Sequence, residues 1–66
     1  MNVLLEGKCT ATHEWMLVAR FFNSIEAGEA AKALSAATGS AYRTVDKRWP
    51  DEGDLVFVFE KGEPVA

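Results

Sequence analysis

One stretch of this chain repeats its apolar residues at helical spacing, and that limits the fold more than any other feature. Ala27, Ala30, Ala31, Leu34 and Ala37 form a narrow stripe between Asn23-Ser24 and Gly39. Asn23 or Ser24 can cap the N-terminus; Asn23 with Glu26 has capping-box spacing, and Glu26 and Glu29 lie near the positive end of the helix dipole. Gly39 stands where a left-handed C-cap is expected. The spacing predicts a helix over 24–38. Its alanine-rich stripe permits close approach to a sheet, a use for Gly28 that offsets a cost of about 1 kcal/mol against alanine. One helix covers one face of a sheet, so the other face must be solvated or covered by something else.

Strand-like patterns flank this helix on both sides. Residues 3–11 begin with apolar Val3 and Leu5 and continue as an alternation. Thr12-His13-Glu14 is a break of hairpin-loop length. Residues 15–22 are the strongest strand, with Trp15, Leu17, Ala19 and Phe21 on one face and Met16, Val18, Arg20 and Phe22 on the other. Apolar residues on both faces predict a central position, or a second face covered by something else. Residues 41–48 are more polar, which fits an edge strand. Trp49 to Asp54 is a turn by its Pro50 and Gly53. Residues 55–60 form the last strand, with Leu55, Phe57 and Phe59 toward the helix and Val56 and Val58 away from it. Pro64 should discourage further pairing in the tail. The expected architecture is a single α+β domain, 1–66: a two-layer ββαββ fold with one helix packed on a small, mostly antiparallel sheet.

The length makes the core tight. In a chain of 66 residues, 48% apolar and 26% charged, about a dozen large apolar side chains must offset an ordering cost of about 1.5 kcal/mol per residue. The single cysteine, Cys9, rules out an intrachain disulfide. A partner or a second copy is therefore an energetic expectation. A lone thiol fits a reducing compartment, the apolar runs are too short to cross a bilayer, and the N-terminus has no secretion-signal pattern. The expectation is a cytoplasmic protein without membrane contact. Met1 and the short tail suggest a complete small gene product.

Two surfaces are left for binding. Met16, Val18, Phe22, Val56 and Val58 would line the face away from the helix, as a dimer seam or second docking surface. Tyr42, Arg43, Arg48 and Trp49 would form a contact patch for a protein partner, because arginine and aromatic residues dominate interface energies. Segment 42–49 carries a charge of +2, while the remainder has four basic and nine acidic residues and carries −5. Nucleic acid is the competing partner for this segment, with Arg43, Lys47 and Arg48 as its footprint, though an overall charge of −3 opposes bulk phosphate binding. The turn carboxylates Asp51, Glu52 and Asp54 read as solvated residues rather than a calcium loop.

Catalysis finds few candidates. Cys9 and His13 lack a third orienting group or further zinc ligands, and Glu6, Glu14 and Glu60 have no fixed separation. No cofactor is implied, and the expectation is a non-enzymatic protein-binding domain; the alternatives are a nucleic-acid-binding module and a self-associating structural subunit whose exposed sheet face or edge pairs with its copy. In its size, its acidity and its layout of strands around one alanine-rich helix, the chain is similar to small phage-encoded proteins. That resemblance implies an inhibitor acting by direct contact with a host complex, as anti-CRISPR proteins and RNA polymerase inhibitors do; it covers size and topology and assigns no residue.

Overall fold

The computed structural model describes residues 3–47, 53 and 55–65. Two strands, β1 (Val3–Lys8) and β2 (Trp15–Phe21), precede the helix α1 (Ser24–Thr38). Three strands follow: β3 (Tyr42–Asp46), β4 (Leu55–Glu60) and β5 (Glu63–Pro64). All neighbours pair antiparallel in the order β2-β1-β3-β4-β5, and the helix packs on one face, an α+β fold.

The helix has the bounds that its caps dictate. Asn23 is extended, and its side-chain oxygen accepts the Glu26 N–H at 2.8 Å. Gly39 takes φ +77°, and its N–H returns to the Ser35 carbonyl at 2.9 Å. The buried stripe is Ala27, Ala31 and Ser35, with Ala30 and Leu34 beside it at intermediate burial; Ala37 is exposed. Ser35 is the unexpected member. Its hydroxyl donates to the Lys32 carbonyl at 3.0 Å and accepts the Gly62 N–H at 2.9 Å, so it ties the helix to the β4–β5 turn.

That turn produces β5, a strand that Pro64 was expected to discourage. Lys61 and Gly62 both have positive φ, 53° and 83°, as a two-residue hairpin turn of right-handed twist requires. A Cβ on Gly62 would also lie 3.0 Å from the Ala36 Cβ, so only glycine lets the turn approach the helix. Pro64 does not prevent pairing. It lies opposite Phe59 on the outermost strand, and the next ladder bond comes from the Val65 N–H to the Val58 carbonyl at 2.8 Å.

Two strand positions are exchanged relative to expectation. The apolar β2 is an edge strand, and the polar β3 is interior, between β1 and β4. Connectivity decides this: the helix leaving β2 passes over the sheet and delivers β3 to the far side of β1. Strand β1 is also shorter than 3–11. Beyond Lys8 the chain turns, with the Cys9 N–H bonded to the Glu14 carbonyl at 2.8 Å, the His13 N–H to the Cys9 carbonyl at 2.7 Å, and His13 at φ 61°.

The register assigns the faces. Val3, Leu5 and Gly7 share the helix side with Tyr42, Thr44 and Asp46 and with Leu55, Phe57 and Phe59. Val3, Leu5, Thr44 and Asp46 are buried there, and the Phe59 ring reaches 4.0 Å from a Cβ built on Gly28. The expected orientation of β4 therefore holds, with Val56 and Val58 on the open side. In β2 it holds only in part. Pairing slips between Leu5–Ala19 and Glu6–Leu17, leaving Val18 as the extra residue of a bulge. Val18 and Ala19 then point the same way, and the parity N-terminal to them inverts. Met16, opposite Gly7, and Val18, 3.4 Å from a Cβ built on Gly7, lie on the helix side, not the open one. Phe22 lies just past the end of β2 and is exposed.

Candidate functional site

The open face is laid out in three rows across the sheet. Arg20, Leu4, Val45 and Val56 form one, and Leu17, Glu6, Arg43 and Val58 the next. Trp15 and Lys8 begin the third. Alternation along β1 and β3 brings Glu6 and Arg43 to directly opposed positions from 37 residues apart.

Arg43 is held on two sides. Its Nε donates to Glu6 Oε1 at 2.6 Å, an ion pair that is also a charge-assisted hydrogen bond. Its guanidinium carbon lies 4.4 Å from the centre of the Trp15 ring, which reaches across β1 from β2. Lys8 Nζ lies 5.9 Å from the same ring. Each cation–π contact at a partly exposed site contributes about 0.5–1 kcal/mol. The larger consequence is entropic: a rotamer-rich side chain is already ordered before anything binds. With Leu17 and Val58 in the same row, the cluster has an apolar margin and a charged centre.

The two described members of the expected contact patch lie on opposite faces of the sheet. Tyr42 points to the helix side, where its ring covers Gly7, while Arg43 is on the open side. Arg48 and Trp49 lie outside the described residues, as do Asp51, Glu52 and Asp54. Of the five expected seam residues, Val56 and Val58 share the open face with Arg43. Trp15, Glu6 and Lys8 join Arg43 through pairing across strands, so no local motif announces them.

A concavity lies where the β1–β2 loop meets the end of the helix. It is a shallow cleft of about 280 Å³, lined by Lys8, Cys9, His13, Ser40 and Lys61 among others. Hydrogen bonding from the Thr12 side chain, then from the Thr12 and Ala11 backbone, holds the Cys9 thiol below its ordinary pKa; desolvation works weakly against this. Glu6 is committed to Arg43 on the open face, whereas Glu60, opposite Glu63 in the β4–β5 ladder, lines this cleft with Cys9 and His13. Among the described residues no group of three His, Cys, Asp or Glu side chains is placed to hold a metal ion, and no helix is long and apolar enough to cross a membrane.

Comparison with protein-family models, curated proteins and solved structures finds no match.

Proposed function

We propose that this chain is a non-enzymatic protein-binding domain that acts by direct contact with a larger partner, using the open sheet face. The observation that carries the reading is Arg43, ordered between Glu6 and Trp15 and bordered by Leu17 and Val58. Arginine and tryptophan are the residue types that most often dominate interface energy, and a pre-ordered arginine loses little entropy on docking. Occlusion of a host complex, in the manner of phage-encoded contact inhibitors, is the finer form of this proposal; small size and topology support it. The test is capture of partners from lysate by the tagged chain, with nuclease present, comparing wild type with Arg43→Ala and Trp15→Ala variants whose folding is verified by circular dichroism. The expected result is a partner retained after nuclease and lost with either substitution. Capture that disappears with nuclease and falls steeply with salt would instead assign the face to nucleic acid.

A further inference from the structure

The two edges of the sheet are built differently. At one edge, β5 has two residues, Glu63 and Pro64, and a short strand with a charge and a proline is a poor template for further pairing. At the other, β2 has seven residues, and no strand among the described residues pairs with its outer side. Met16, Leu17 and Val18, which alternate between the two faces, are 60%, 50% and 51% exposed. An outer row of backbone donors and acceptors beside apolar side chains is completed by another strand, rather than by a helix or a small molecule.

We propose that this strand is β2 of a second copy of the chain, joined antiparallel about a two-fold axis normal to the sheet. The bulge supplies the first argument. Met16, Val18, Ala19 and Phe21 face the helix side, and Trp15, Leu17 and Arg20 face the open side. This order of faces reads the same in both directions from the midpoint of Val18 and Ala19. An antiparallel copy in that register sets Val18 against Ala19, Leu17 against Arg20 and Met16 against Phe21, every pair on a common face. Any other register about a two-fold axis misplaces side chains within three pairs or leaves most of β2 unpaired. Met16 against Phe21 is a favourable sulfur–aromatic pair, and the two Arg20 side chains do not oppose each other.

The second argument is the core. Among the described residues the buried apolar side chains are Val3, Leu5, Ala27, Ala31 and Val45, two of them alanine. Phe22, immediately beyond β2, is 79% exposed. A chain this short gains most from a partner present whenever it folds, and its own copy always is. The pairing is independent of the Arg43 contact face, which remains open on one side of the widened sheet.

Sedimentation equilibrium of the full chain from micromolar to submillimolar concentration tests the proposal. The expected mass is twice 7.2 kDa, and 7.2 kDa throughout the range overturns it. Val18→Pro should reduce the mass to that of the monomer while near-ultraviolet circular dichroism is retained. If that variant unfolds, Met16→Lys, an exposed site in the single chain, should weaken association at least tenfold. Val56→Lys, on the open face, should leave the mass doubled. A dimer dissociated by Val56→Lys but not by Met16→Lys would overturn edge pairing in favour of face packing. A monomer that loses a captured protein on Val18→Pro substitution would overturn the second copy and give the edge to a foreign strand.

Discussion

Strands β2 and β3 both pair with β1, one on each side, yet their environments differ sharply. In β3, Thr44, Val45 and Asp46 are almost wholly buried, whereas in β2 three consecutive apolar residues are at least half exposed. Strand β3 is enclosed by β1, β4 and the helix, and its Arg43 finds Glu6 and Trp15 within reach. Among the described residues strand β2 has a neighbour on one side only, and its bulge turns Val18 to the same side as Ala19. Position in the sheet, set by the path of the chain, outweighs composition in deciding what is buried.

The sharpest way to break this comparison is to place one charge at each strand. Val45→Lys removes a buried apolar side chain from the row of Leu4 and Val56 and should cost about 1.5–3 kcal/mol in urea unfolding. Leu17→Lys, measured at low concentration, should cost within about 0.5 kcal/mol. Equal costs would refute the strand order. If the β2 edge self-pairs, the Leu17→Lys effect should grow with concentration while that of Val45→Lys stays large throughout.

Gly7 lies between the two strands and sharpens the contrast. A Cβ there would meet the Tyr42 ring at 2.9 Å and a Val18 methyl at 3.4 Å. Gly7→Ala should cost about 1–2 kcal/mol, with the larger chemical-shift change at Tyr42 on the packed side. Glu6→Gln removes the charge that faces Arg43 and should cost about 1 kcal/mol. A double-mutant cycle with Arg43→Met isolates that term, and a coupling near zero would make the pair incidental. The smallest effect lies in the loop leading into β2. Cys9 alkylation should reach its half-maximal rate at a lower pH than for a free thiol, because the lowered pKa favours the thiolate. Thr12→Val should move that midpoint upward, and an unchanged midpoint would remove Thr12 as the cause.

The parts of the fold legible in the sequence are those fixed by local chemistry. The Asn23 and Gly39 caps and the unbroken apolar run from Leu55 to Phe59, ended by Glu60, give both elements their observed bounds. What escaped depends on partners distant in the chain. The β2 bulge is visible only against the β1 ladder, so Met16 and Val18 lie on the helix side rather than with Val56 and Val58. Trp15 was legible as a strand residue but not as the platform for Arg43, since the ring crosses an intervening strand to reach it. Strand β5 had a local signal, the Lys61-Gly62 turn, but Pro64 argued against pairing that an outermost strand tolerates.

The long span between Glu6 and Arg43 has a kinetic meaning. The β1–β2 hairpin closes through a short loop and can form early, but β1 gains its second neighbour only after the helix has carried the chain across the sheet. The ion pair closes 37 residues of chain, so the entropy of that loop must be lost before the contact returns anything. Removing the Glu6 charge should then accelerate unfolding while leaving the refolding rate nearly unchanged, making this pair a latch set at the end of folding rather than part of its nucleus.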